Sequence, residues 1–229
     1  MSQPVLDDLD LDDDDAHDLV TEIEACFGIE LTDDEIAPIE TMGALHALLV
    51  TKLAVADRPN GKHAPQMAFY RIRRALSDQW PRHMLRPDTK LGLLAGKRPA
   101  QLLTKLREQT GLSFPQAGLG WAATIGVIGA FFSGFALLGF FNAYVLAFFG
   151  LCILLAALGP RVLDDRLATL GDLATAAGLR SLKQLAVDGV RIDSRTIWQS
   201  LLEITANQAA EGTVGPETRL YRQRKRANA

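Results

Sequence analysis

The chain has 229 residues, with 24 Lys+Arg against 27 Asp+Glu, a formal net charge of −3 and 48% hydrophobic residues. Two cysteines, Cys26 and Cys152, exclude a disulfide framework and a cysteine-built zinc site, and an acidic N-terminus with no basic n-region excludes an ordinary cleaved signal peptide. The charge is unevenly spread: residues 1–50 carry 15 acids and no Lys or Arg, 51–110 carry 13 bases and 4 acids, and 111–229 carry 11 bases and 8 acids.

The acidic segment 1–56 opens on LDDLDLDDDD. Asp8, Asp10 and Asp12 have the spacing of a calcium loop, but its sixth position is Asp13 rather than Gly and its twelfth is Leu19 rather than Glu, so the loop fails. Aspartates at a helix start suit the helix dipole instead. Leu19, Ile23 and Phe27 recur every four residues, with Val20 beside them, and predict a helix with a narrow apolar stripe. Gly28 ends it, TDDEIAPIE reads as an acidic loop, and Thr41 caps a helix carrying Leu45, Leu48 and Leu49. Residues 57–65 (DRPNGKHAP) are a linker by composition.

A helix over about 66–80 places Phe69, Ile72, Leu76 and Trp80 on one face and Arg71, Arg73 and Arg74 on the other. With Arg82 and Arg86 these suit anionic lipid, at about 1 kcal/mol each, or the acidic N-terminus, rather than nucleic acid. PDTKL (87–91) precedes a helix over 99–110 with Leu102, Leu103 and Leu106. The segment 66–118 then gives way to 41 residues, Leu119 to Gly159, without one charge.

Crossing hydrocarbon takes roughly 20 helical residues, so this run is about two spans long. Each must be a complete helix, because backbone groups cannot stay unpaired in lipid. Gly139 and Asn142 mark the turn, which predicts spans at about 119–138 and 143–159. Trp121 and Tyr144 fall near span ends, where aromatic rings prefer the interface. Lys105, Arg107, Arg161 and Arg166 flank the run while the turn is uncharged, which predicts a multi-pass membrane protein with both termini cytoplasmic. Gly126, Ala130 and Gly134 form a small-residue ridge, suited to packing within the hairpin or to self-association. Without an ionisable residue inside the spans, transport has nothing to run on.

Segment 160–193 contains a short capped helix, TLGDLATAAG (169–178). Segment 194–221 predicts a helix from Thr196 to Ala210 with Ile197, Leu201, Leu202 and Thr205 facing inward, and 222–229 is a basic tail. His17, His46, His63 and His83 have neither metal spacing nor a companion nucleophile, and no Walker, GxSxG or glycine-rich fingerprint occurs. The sequence therefore predicts no catalytic residue, no metal and no enzyme.

The run DDDDAHDLVTEIEACFGIELTDDEIAPIETMGALHALL resembles an acyl carrier protein from its second helix onward, through the acidic helix ending in Phe27, the Ile-x-Leu-x-Asp-x-Glu loop and the Thr-x-Gly-x-Leu helix start. A weaker echo covers 66–115, where FYRIRRALSDQW with PDTKL resembles the first carrier helix and loop, and QLLTKLREQTGLSFP the second helix and its exit. TLGDL resembles the start of the last helix, and TIWQSLLEITANQ with VGPETRL (196–220) resembles a first helix and loop again. Carriers attach phosphopantetheine to a serine that opens their second helix. Here Asp13 occupies that position, and about Gly96 in the echo, and neither side chain can form the phosphodiester. Ser194, after Asp193, reads as a helix cap, with attachment there as the alternative. No cofactor is expected.

The resemblance implies an all-α chain: small carrier-like modules on one side of a two-helix transmembrane hairpin. Residues 12–53 match the second to last carrier helices and 196–220 the first, so 194–221 is expected to complete the N-terminal module, with Ile197, Leu201 and Leu202 against Leu19, Ile23, Phe27 and Leu45. The expected role is a non-enzymatic, membrane-anchored scaffold whose partners are the lipid bilayer and a protein recognising the acidic N-terminal helix. The alternatives are a functional membrane-tethered carrier and a membrane protein of lipid metabolism.

Overall fold

The computed structural model describes residues 4–53, 62–96, 98–115, 118–119, 161–162, 166–207 and 212–221. Apart from Leu119, the expected hairpin at 119–159 lies outside these residues, as do its ridge of Gly126, Ala130 and Gly134 and the basic tail 222–229. Among the described residues no helix is long and apolar enough to cross a membrane.

The chain is mainly helical. In order come α1 (Asp13–Phe27), α2 (Asp33–Ile36), α3 (Met42–Lys52), α4 (Ala64–Leu76), α5 (Leu91–Ala95), α6 (Pro99–Thr110), α7 (Leu170–Leu179), α8 (Leu182–Ala186) and α9 (Ser194–Ile204), the last followed by a 3-10 turn over Thr205–Asn207. Two-residue strands β1 (Gly118–Leu119) and β2 (Arg161–Val162) pair antiparallel, Gly118 opposite Val162 and Leu119 opposite Arg161. The chain divides into two compact units. One comprises 1–74, 111–113 and 174–229, the other 75–110 and 114–173.

In the first unit, Asp12 caps α1 by accepting from Asp15 N at 2.8 Å, and Asp13, Asp14 and Asp15 fill the first turn, where the helix dipole favours anions. Gly28, at φ +71, closes the helix by donating its N–H to Glu24 O, a left-handed cap that suits glycine. The stripe Leu19, Ile23 and Phe27 is buried, together with Cys26. Within the acidic loop, α2 forms because Glu35 reaches back to Thr32, accepting from its N at 2.9 Å and its Oγ1 at 3.0 Å. Helix α9 is capped by Asp193 rather than by Ser194, which is its first residue: the Asp193 carboxylate accepts from Thr196 N at 2.7 Å, and the helix packs against α3 and α1. Ile197, Leu201 and Thr205 are buried and Leu202 is half-buried. The helix read as running to Ala210 ends at Ile204, where the 3-10 turn begins.

Residues 4–11 lie along 213–220. Leu6 N donates to Thr213 O at 2.9 Å, Leu9 N to Arg219 O at 2.8 Å and Arg219 N to Asp7 O at 3.0 Å. Leu9 and Leu11 flank Asp10, which turns the backbone at φ +51, and are 6% and 7% exposed, so this acid-rich run is half-buried rather than solvated. That spacing is visible in the sequence; the density of acids masked it.

Both units contain the same junction. In the first, the loop PETRL (216–220) meets the start of α3: Gly43 N donates to Pro216 O at 2.8 Å, Met42 N to Thr218 O at 2.9 Å and Leu220 N to Glu40 O at 2.9 Å. In the second, PDTKL (87–91) meets the start of α7: Gly171 N donates to Pro87 O at 2.8 Å, Leu170 N to Thr89 O at 2.8 Å and Leu91 N to Ala168 O at 2.9 Å. A Cβ on Gly43 would stand 2.8 Å from Pro216 O, and one on Gly171 2.9 Å from Pro87 O. Each glycine is there because the loop's backbone comes that close. In the second unit, α5 and α6 pack on one another and α6 also meets β2, around buried Leu85, Leu91, Leu94, Leu103, Leu106, Phe114 and Leu173.

Candidate functional site

Asp13 is the first residue of α1, exposed on its N-terminal turn beside Asp14 and Asp15. A carboxylate there serves the dipole and offers no hydroxyl for transfer. Gly96 sits at the end of α5 with φ +54, three residues before α6 begins. Asp8 pairs through its backbone with Arg219 while Asp12 caps α1, so the aspartates with calcium-loop spacing are separately engaged. Among the described residues no group of three or more His, Cys, Asp or Glu is placed to hold a metal ion.

Ser194 opens α9 and is exposed, and His46 of α3 comes to it across the helix seam. His46 Nε2 lies 3.2 Å from Ser194 Oγ and 2.9 Å from Ser194 O, with its ring edge-on to Trp198 at 5.5 Å. Sequence spacing gave His46 no companion, since 148 residues separate the pair. A serine beside a histidine suggests an activated nucleophile. The carbonyl argues otherwise, because it can only accept, so the 2.9 Å contact requires a proton on Nε2. A protonated Nε2 cannot also take the serine proton. In this arrangement the pair clamps α3 to the start of α9. Asp193 beneath it is held anionic: burial opposes its charge, but the hydrogen bonds from Thr196 and the nearby Arg191 prevail and lower its pKa.

Two polar knots tie the first unit together, and neither is legible from spacing. Cys26 Sγ donates to Leu179 O at 3.1 Å and lies 3.3 Å from Ser200 Oγ, which itself donates to Leu179 O at 2.7 Å. Burial pushes the Cys26 thiol up, away from the thiolate that nucleophilic chemistry needs. Arg180 pairs with Glu22 of α1, donates to Glu203 O of α9 at 2.9 Å and has its Nε 3.5 Å from the Glu203 carboxylate. Through that arginine α1 and α9 are tied to the segment that follows α7. These groups hold helices in place.

No protein-family model matches this chain, and no curated protein or solved structure does.

Proposed function

We propose that this protein is a membrane-anchored, carrier-like interaction module that has lost its prosthetic group. The observation carrying the reading is the packing of α9 on α1 and α3, with the loop 212–221 bonded to the start of α3 and to residues 4–11. Taken as α9, loop, α1, α2, α3, these elements follow the carrier order of helix, long loop, acidic helix, short helix and last helix, cut open between the loop and the acidic helix. Asp13 then stands where a carrier presents its attachment serine. The pairing of Gly118–Leu119 with Arg161–Val162 supports the membrane half of the reading, because it holds the two flanks of the uncharged run side by side. A run of 41 residues tethered at both ends in this way suits a hairpin that returns to the side it left. What remains for the module to do is to hold a protein partner at the bilayer through the acidic face of α1.

The alternative of a functional carrier rests on Ser194, an exposed serine at a helix start. Intact mass after coexpression with a phosphopantetheinyl transferase decides between them. Unchanged mass is expected. A cofactor-sized increment lost in Ser194→Ala would overturn the scaffold reading.

A further inference from the structure

We infer that residues 81–98 form a docking patch for an anionic lipid surface, a reading that rests on the 119–159 run crossing the membrane. Most apolar side chains of this stretch are inside: Leu85, Leu91 and Leu94 are 1%, 1% and 8% exposed. Two are not. Met84 is 45% exposed and Leu93 70%, next in sequence to Leu85 and Leu94 respectively. Each is turned outward because its neighbour is anchored inward, so neither can be tucked in without pulling an anchor out. Thr89 fixes the geometry further, since its Oγ1 donates to Met84 O at 2.6 Å and accepts from Arg86 N at 3.0 Å.

The stretch that carries these two side chains is mainly basic. Residues 81–98 contain Arg82, Arg86, Lys90, Lys97 and Arg98 against Asp88 alone. The unit that holds them carries nine Lys and Arg against six Asp and Glu, whereas the other unit carries fifteen against twenty-one. The basic unit is also the one that holds both flanks of the uncharged run, paired as β1 and β2, with α6 packed on β2. Exposed apolar side chains among cations, on the unit already tied to the bilayer, fit an interface whose headgroups are negative and whose acyl boundary takes Met84 and Leu93. A nucleic acid would satisfy the cations and leave those two side chains without a place.

The test uses the full chain in a Cys26→Ser, Cys152→Ser background, with an environment-sensitive fluorophore on Leu93→Cys. It is reconstituted into vesicles of phosphatidylcholine alone or of an equimolar phosphatidylcholine–phosphatidylglycerol mixture. A blue shift in the mixture is expected, absent in phosphatidylcholine, reversed by molar salt and lost in Arg86→Glu/Arg98→Glu with helical circular dichroism unchanged. The same spectrum in both vesicle types overturns the patch, whether both are shifted or neither is. Resistance to alkaline carbonate reads the membrane span separately. If carbonate extracts the chain, the span is wrong, and adding the same vesicles to the soluble labelled chain decides the patch by the same two spectra.

Discussion

At the first junction Pro216 and Thr218 offer their carbonyls to Gly43 and Met42; at the second Pro87 and Thr89 offer theirs to Gly171 and Leu170. The threonine hydroxyls are where they part. Thr89 Oγ1 donates to Met84 O, five residues away, and the threonine stays half-exposed. Thr218 Oγ1 donates at 2.8 Å to Leu6 O, from the opposite end of the chain, while accepting from Gly215 N at 2.8 Å, and Thr218 is fully buried. The same loop and helix start therefore make a local turn in one unit and a long-range seam in the other. What differs is the segment 4–11, whose backbone bonds to 213–220 at the first junction.

The largest expected effect removes a core side chain of the first unit. Phe27→Ala should destabilise the first unit by about 3–5 kcal/mol, whereas Asp13→Ala, on the surface, should stay within about 0.5 kcal/mol. Hydrogen exchange of the full chain checks this by peptide: amides at 40–45 and 213–220 should lose protection in Phe27→Ala while those at 87–91 keep theirs. Gly43→Ala and Gly171→Ala both push a methyl against a loop carbonyl, and each should cost about 1–3 kcal/mol. Each should open its own junction and leave the other closed, and a substitution that loosens both would show that the junctions are not independent. Thr218→Val strands Gly215 N and Leu6 O in a buried place and should cost about 1–3 kcal/mol. Thr89→Val strands groups near water and should cost visibly less, so equal losses would remove the contrast between buried seam and local turn.

The smallest effect is electrostatic. Lys52, donating to Glu35 at 2.5 Å, together with the Thr32 hydrogen bonds, lowers the Glu35 pKa to about 2 from an ordinary 4.5. A depressed folded pKa contributes stability that is present above about pH 4.5 and is lost as pH falls toward 2. Glu35 lies at the surface, so the arm is shallow. A titration of unfolding midpoint between those pH values should flatten in Glu35→Gln, and an unchanged slope would assign the acid sensitivity to other carboxylates.

Sequence reading found the elements whose stripes and caps are local. Leu19, Ile23 and Phe27 mark α1, Thr41 marks the start of α3, and Ile197 with Leu201 marks the inward face of α9. It read the face of α4 differently. Phe69 and Trp80 are half-buried, while Ala64, Ala68, Ile72 and Leu76 are the buried line. The reason lies in another segment: a Cβ on Gly178 would sit 2.8 Å from Ala64 O, so α7 approaches the start of α4 too closely for large side chains there. Helix α8 has five residues, too few for a period to show. Of the candidate site, the exposed place of Asp13 follows from its helix start. The meeting of His46 with Ser194, and of Cys26 with Ser200, depends on how distant segments close, and no local pattern encodes that.

The two ends of the chain form one folded body, and reconstitution tests this directly. Residues 1–55 are expressed alone and together with residues 166–229 as a separate chain, the second fragment including α8 because it packs on α1. Helicity and amide dispersion are recorded for each. Helices lacking a packing partner bury too little surface to fold, so cooperative unfolding is expected only from the mixture. If residues 1–55 fold cooperatively unaided and their amide spectrum ignores the second fragment, the ends do not form one module and the carrier order read from α9 to α3 is wrong.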